Sequence, residues 1–195
     1  MQPMPLALPG AELALDPDWL PSDRAGALFS ALRAAIPWEV HRIRLFGREL
    51  DSPRLSCWIG DPGAAYAYSG ARFQPRPWPA ALLPVRARLH AELGIDFNSV
   101  LANLYRDGRD SMGWHSDDES ELGPRPVIAS LSLGATRRFM LKPRGDPGDK
   151  LALDLPSGSL LLMRGDTQRH YRHALPRTAR QVGPRINLTF RLIRR

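Results

Sequence analysis

Arg185-Ile186-Asn187-Leu188-Thr189-Phe190-Arg191-Leu192 alternates polar and apolar side chains without a break. That period is the signature of a β-strand, whose successive side chains point to opposite faces. Arg185, Asn187, Thr189 and Arg191 share one face, and Ile186, Leu188, Phe190 and Leu192 share the other. Upstream, strand-like segments recur at 100–105, 127–133, 137–142, 151–155, 159–163 and 170–174, with the final one at 185–193, divided by Gly, Pro and Asp turns. Many short strands with few helices predict a two-sheet sandwich or jelly roll over the last hundred residues.

The polar face of the last strand reads two ways. It is the charged solvent face of a half-exposed strand, or it lines a cavity inside the jelly roll. In the second case its two arginines suit an anionic ligand with two carboxylates, of which 2-oxoglutarate is one example.

The first hundred residues are different. Residues 1–22 are Pro-rich and aperiodic and read as an extended arm with a loose end. Ser22 or Asp23 caps a predicted helix through Ala25, Leu28, Phe29, Leu32 and Ile36, closed by Pro37. A strand follows from Trp38, a turn near Phe46-Gly47-Arg48, and a further strand at Leu55 to Ile59. Gly60-Asp61-Pro62-Gly63 is a turn, and Tyr66-Ala67-Tyr68-Ser69-Gly70 puts two aromatics on one face of a short strand. Those tyrosines serve either as core packing or as a stacking platform for a base. Pro75 to Pro79 reads as a rigid linker, and Leu82, Val85, Leu89 and Leu93 mark a second helix ending at Gly94. The expected class is therefore α+β and β-rich. It is a single domain over 1–195, with N-terminal helices and a small β lid over about 1–98 and a jelly-roll core over about 99–195.

Between two strands lies Gly113-Trp114-His115-Ser116-Asp117-Asp118-Glu119. In an extended segment residues i and i+2 face the same side, so the His115 imidazole and the Asp117 carboxylate converge. They form two thirds of a 2-His-1-carboxylate triad, which leaves positions on ferrous iron open. A solvated polar turn is the plain alternative. Of the remaining histidines, His41 and His90 sit in scaffold segments. His170 and His173, three apart in a strand, face opposite ways, and spacing does not choose between them. Asp118 is placed to accept a hydrogen bond from an exocyclic amine of a base, or it is a turn carboxylate in water.

The chain has 195 residues and a net charge of +7, carried almost wholly by arginine, with Lys142 and Lys150 as its lysines. A polyanionic partner fits that charge, although an arginine-favouring codon bias gives the same composition. The single cysteine, Cys57, excludes an intrachain disulfide framework and a Cys-based zinc cluster. Its neighbours Leu55, Trp58 and Ile59 predict a buried structural thiol. No secretory signal pattern is present, and no run approaches the ~18 apolar residues of a membrane span. The expectation is a cytoplasmic protein without membrane association.

Taken in order, several segments resemble the AlkB family of Fe(II)/2-oxoglutarate dioxygenases, on the branch that demethylates nucleic acid. They are Phe46-Gly47-Arg48, Tyr66-x-Tyr68-Ser69-Gly70, Pro77-Trp78, Phe97-Asn98 and Asn103-x-Tyr105-x-Asp107-Gly108, then His115-x-Asp117-Asp118-Glu119. Ile128-Ala129-Ser130-x-Ser132-x-Gly134, Gly158-Ser159-Leu160, His173-x-Leu175-Pro176 and Arg185-x-Asn187-Leu188-Thr189-Phe190-Arg191 complete the series.

The resemblance implies oxidative demethylation of 1-methyladenine and 3-methylcytosine in DNA, with RNA as a second substrate. The reaction uses Fe(II), O2 and 2-oxoglutarate and releases formaldehyde, succinate and CO2. His173 is similar to the family's distal iron ligand, joining His115 and Asp117. Arg185, Asn187, Thr189 and Arg191, with Asn103 and Tyr105, resemble the 2-oxoglutarate clamp. On the substrate side, Asp118 and Glu119 face the target base, and Tyr68 and His115 flank it, with Tyr66 and Ser69 beside them. Leu45-Phe46-Gly47 is similar to the wedge that fills the gap left by a flipped base, and Arg48 follows as a phosphate contact. Tyr68 departs from the phenylalanine of the family pattern, and the 142–150 insertion is short and mildly basic. The chain is expected to act as a monomer. Two other classes compete with this one: an oxygenase acting on protein or lipid, and a non-catalytic module that binds damage. Phe46, Tyr68 and Asp118 oppose the first, and a full ligand set with its clamp opposes the second.

Overall fold

The computed structural model describes residues 3–194 except 46, 47, 65, 69, 70, 146, 147 and 149, and gives backbone alone for 43–45, 48, 49, 66–68 and 71–73. Phe46, Gly47 and Ser69 therefore lie outside the described residues, as do the side chains of Arg48, Tyr66 and Tyr68.

Its strands are β1 (Met4–Leu6), β2 (Glu12–Asp16), β3 (Arg42–Leu45), β4 (Arg48–Asp51), β5 (Leu55–Gly60), β6 (Tyr66–Tyr68), β7 (Ala71–Phe73) and β8 (Ser99–Tyr105). The C-terminal half adds β9 (Met112–His115), β10 (Ile128–Gly134), β11 (Arg137–Pro143), β12 (Leu151–Leu155), β13 (Leu160–Arg164), β14 (Tyr171–Leu175) and β15 (Arg185–Arg191). The helices are α1 (Ser22–Ala35), α2 (Leu83–Leu93) and the single turn α3 (Thr167–His170).

Seven strands form a major sheet in the order β1-β2-β13-β10-β15-β8-β5, and four form a minor sheet, β12-β11-β14-β9. All pairings within both sheets are antiparallel. Two further hairpins, β3–β4 and β6–β7, stand apart from the sheets. This is the jelly-roll architecture that the strand spacing predicts. No helix among the described residues is long and apolar enough to cross a membrane.

Two apolar clusters hold the layers. Leu28, Leu32 and Ile36 at and beyond α1, with Val85 and Leu89 of α2, pack on the alternate residues Ala129, Leu131 and Leu133 of β10 and Ile186, Leu188 and Phe190 of β15. Each fully buried Leu, Ile or Phe contributes about 1.5–3 kcal/mol. Between the sheets, Leu13, Ile128, Phe139, Leu141, Leu161 and Met163 fill one end of the sandwich. Phe139 and Met163 of this cluster also border a cavity whose remaining lining is largely polar. Gly94 closes α2 in the left-handed conformation, at φ 66°, as the sequence predicts. Gly158 also has positive φ, and a Cβ there would collide with the Leu20 carbonyl.

Four expectations need correction. Residues 4–16 are not a loose arm but a hairpin in the major sheet, with β2 paired to β13 and Leu13 and Leu15 buried. The prolines hid that alternation, and Pro5 is tolerated because β1 is an edge strand. No side chain caps α1; the Ala25 N–H donates to the Pro21 carbonyl. The expected division near residue 98 does not follow the sheet, because β1, β2 and β5 complete it from the N-terminal half. Finally, Pro75 to Pro79 is more than a linker, since Arg76 bonds through its backbone to Trp58 and Gly60.

Candidate metal and co-substrate site

Antiparallel pairing of β14 with β9 sets His173 directly opposite His115. Their rings meet edge-on with centroids 4.2 Å apart, and Phe139 stacks on His173 at 5.4 Å. Asp117 lies two residues past the end of β9, so the strand itself carries only one of the two groups. What aims Asp117 is a set of bonds to distant residues. Its N–H donates to the side-chain carbonyl of Gln168 at 2.9 Å, and the preceding Ser116 hydroxyl donates to the Tyr171 carbonyl at 2.8 Å.

The potential ligand atoms of His115, Asp117 and His173 all lie within 4.8 Å of one another. His115 Nδ1 sits 2.8 Å from the Gly113 carbonyl. With that nitrogen as donor, Nε2 presents its lone pair to the site. Arg191 Nη2 donates to Asp117 Oδ1 at 2.7 Å, and the second oxygen, Oδ2, is buried without a hydrogen-bond partner. A buried anionic oxygen without a donor is costly, and a cation shared with two imidazoles removes that cost. The group fits divalent iron by donor chemistry and count.

The electrostatics agree. Burial pushes the Asp117 carboxyl up, but Arg191, with smaller contributions from the two histidines, outweighs it and holds the group at about 2. Burial and the facing His115 imidazole lower His173 to about 3. Burial also lowers His115, against the pull of Asp117. Both imidazoles are therefore neutral at pH 7, the form that binds a metal.

The polar face of β15 points into this cavity. Arg185 and Arg191 are 1 % and 3 % exposed, which overturns the solvent-face reading. The β15–β8 register places Arg185 opposite Tyr105 and Asn187 opposite Asn103. Asn103, Tyr105, Arg185, Asn187, Thr189 and Arg191 all line the cavity with His115, Asp117 and His173. Arg185 donates to the Ser132 hydroxyl at 2.8 Å while its Nε is buried without an acceptor. Burial lowers its guanidinium to about 10, so it stays charged. A buried cation with an open N–H beside Tyr105 and Asn187 suits a carboxylate.

Other candidates are separated from this centre. His170 is exposed on α3, and His90 pairs with Asp96. Asp118 is half-exposed and ion-paired to Arg144, and neither it nor Glu119 lines the cavity. Cys57 is buried, and burial raises its thiol to about 11.

Two residues escaped the sequence reading. Gln168 was one. Arg54 was the other: it is 5 % exposed and donates from Nε to Asn103 Oδ1 at 2.8 Å. Arg54 sits in an irregular bend and Gln168 in the single turn α3, both too short for a periodic pattern, so no local signal marked them.

A family model described as the 2OG-Fe(II) oxygenase superfamily matches residues 12–191, and the chain belongs to that superfamily. Its relatives within it include AlkB homologues. It is 36 % identical over 192 residues to the alpha-ketoglutarate-dependent dioxygenase alkB homolog 3 of Bos taurus, covering 94 % of this chain and 66 % of that one. It is 38 % identical over 210 residues to the DNA oxidative demethylase ALKBH2 of Arabidopsis thaliana, covering 94 % and 67 %. The chain thus spans about two thirds of the length of these relatives. Its fold is similar to the structure of OsALKBH1, with a TM-score of 0.64 and 21 % identity over 96 % of this chain and 100 % of that one.

Proposed function

We propose that this chain removes methyl groups oxidatively from 1-methyladenine and 3-methylcytosine in DNA, with RNA as a second substrate. His115, Asp117 and His173 hold Fe(II), and 2-oxoglutarate and O2 are co-substrates. The observation that carries this reading is the meeting, in one cavity, of three ligand atoms within 4.8 Å and the buried, open guanidinium of Arg185. The names of its AlkB relatives and the +7 charge support a nucleic-acid substrate.

Iron held there supplies oxidation of the N-methyl carbon by O2, coupled to decarboxylation of 2-oxoglutarate to succinate, after which the hydroxymethyl group leaves as formaldehyde. The chain's own residues bind and orient. Arg191 occupies one oxygen of Asp117 and leaves the other for the metal. Gly113 fixes the His115 tautomer, and Gln168 fixes the Asp117 backbone. Arg185, with Ser132, Tyr105 and Asn187 around it, takes the distal carboxylate of 2-oxoglutarate. Leu101, Met112, Phe139 and Met163 line the same space and exclude water.

Methylation at these positions blocks the pairing edge, so the base must leave the stack to react. Asp118 accepts its exocyclic amine, with Glu119 beside it. Phe46, Gly47, Arg48, Tyr66, Tyr68 and Ser69 complete nucleotide recognition in this reading.

The test is mass spectrometry of a 1-methyladenine oligonucleotide incubated with protein, Fe(II) and ascorbate, with and without 2-oxoglutarate. Loss of one methyl mass only when 2-oxoglutarate is present is the expected result. Succinate without methyl loss assigns the oxygenase to another substrate, and neither product refutes an oxygenase.

A further inference from the structure

The chain has five tryptophans, and four of them are tied into the protein. The indole N–H groups of Trp19, Trp38, Trp58 and Trp78 donate to Glu92, the Arg33 carbonyl, the Ala64 carbonyl and Asp61. Trp114 differs. It is 39 % exposed, and its N–H has no acceptor among the described residues. Burial of an aromatic with its N–H satisfied is the usual arrangement, so this side chain is not explained by packing.

Its position is specific. Trp114 immediately precedes His115 on β9, the edge strand of the minor sheet. Adjacent residues of a strand face opposite ways. The His115 side chain faces the cavity, and the Trp114 side chain lies on the outer face. There the Lys142 ammonium sits over the indole, 4.5 Å from the ring centroid. Lys142 is in register with Arg172 on β14, the strand between Lys142 and Trp114. Arg172 is exposed while its neighbours Tyr171 and His173 are buried, so it shares the outer face. No carboxylate pairs with Lys142 or Arg172 among the described residues. β9, β11 and β14 carry no acidic residue, and of the acids outside them Asp118, after β9, is engaged by Arg144 and Asp154, on β12, by Arg138.

A 39 % exposed indole with Lys142 over its ring and Arg172 on the same face of the sheet, neither cation paired to a carboxylate among the described residues, offers what single-stranded nucleic acid requires: an aromatic surface for a base and donors for phosphate. An acidic peptide would use the cations and leave the indole unexplained. We propose that Trp114, Lys142 and Arg172 form a docking surface for the single strand that flanks the reacting nucleotide, with a base on Trp114 and phosphates on the two cations. The proposal rests on the nucleic-acid reading above. Because Trp114 and His115 are adjacent across the sheet edge, a strand leaving the cavity over β9 reaches this surface directly.

Binding of a labelled twelve-nucleotide oligothymidine, followed by fluorescence anisotropy over a range of salt concentrations, tests it. Trp114→Ala should weaken binding about tenfold, the scale of one stacked base, with the salt slope unchanged. Trp114→Phe should restore most of the loss, which also controls for folding. Arg172→Gln should lower the slope by about 0.7, the counterion share of one single-strand phosphate contact. Wild-type affinity in Trp114→Ala, or a salt slope unmoved by Arg172→Gln, overturns the surface. A wild-type protein that binds the oligomer through Trp114 but leaves 1-methyladenine intact refutes the demethylase reading and upholds the surface. Demethylation with no Trp114 dependence of binding refutes the surface alone.

Discussion

Arg191 and Asp117 form an ion pair of 2.7 Å with side chains 4 % and 1 % exposed. They come from opposite ends of the C-terminal half, and their pairing is the electrostatic centre of the site. A buried pair loses about 3–5 kcal/mol when one partner is removed, because the other charge is stranded. Arg191→Met should therefore lower the melting temperature of the metal-free protein sharply. Co(II) should recover part of that loss, since a cation at Asp117 Oδ2 replaces the missing charge. Melting curves with and without Co(II) check this, and a variant as stable as wild type without metal would refute it.

His115→Ala and Asp117→Ala each delete one of three donors. Co(II) absorption titrations should show loss of the tight site in both variants, and turnover should vanish with it. Full activity in either variant would remove it from the ligand set.

Arg185→Gln removes a charged donor but keeps a neutral one. A charge-assisted bond of about 2 kcal/mol corresponds to roughly thirtyfold in affinity. The KM for 2-oxoglutarate should rise by about that factor, with a smaller effect on kcat at saturation. An unchanged KM would place the co-substrate carboxylate elsewhere.

Gln168→Leu keeps the bulk and removes the acceptor for the Asp117 N–H. Groups that orient a ligand change metal affinity by about 10–100-fold. Co(II) affinity should fall within that range, while Gln168→Glu, which keeps an acceptor oxygen, should fall less. Equal affinity in wild type and Gln168→Leu would make the bond incidental.

Acid should destabilise the metal-free protein through His173. Its folded pKa, about 3, lies below 6.5, the ordinary value of an imidazole in an unfolded chain. Between those values the unfolded chain binds more protons, so stability rises with pH there. The contribution is complete above pH 6.5 and is lost as pH falls through that value, by about 1–2 kcal/mol between pH 7 and 5. Thermal melts should show this slope in wild type and a shallower one in His173→Gln. Parallel slopes would contradict it.

Local pattern made much of this molecule legible. β15, β10 to β14 and both long helices follow from alternation, helical spacing and turn residues, because strand and helix periods act within a few residues. The β1–β2 hairpin did not show, since Pro3, Pro5 and Pro9 break up β1 and the loop after it, and the alternation of β2 around Leu13 and Leu15 spans only five residues. The resemblance, rather than spacing, pointed to His173 over His170.

By itself, the sequence determined that β15 has one polar and one apolar face, and that His115 and Asp117 stand two residues apart. Only the tertiary structure decided that the polar face looks inward, where α1 and α2 cover the apolar one. It also set His173 across from His115 and brought Gln168, Arg54 and Arg191 to the ends of the site. The reason is that periodicity says which residues share a face, while antiparallel pairing over tens of residues decides what that face meets.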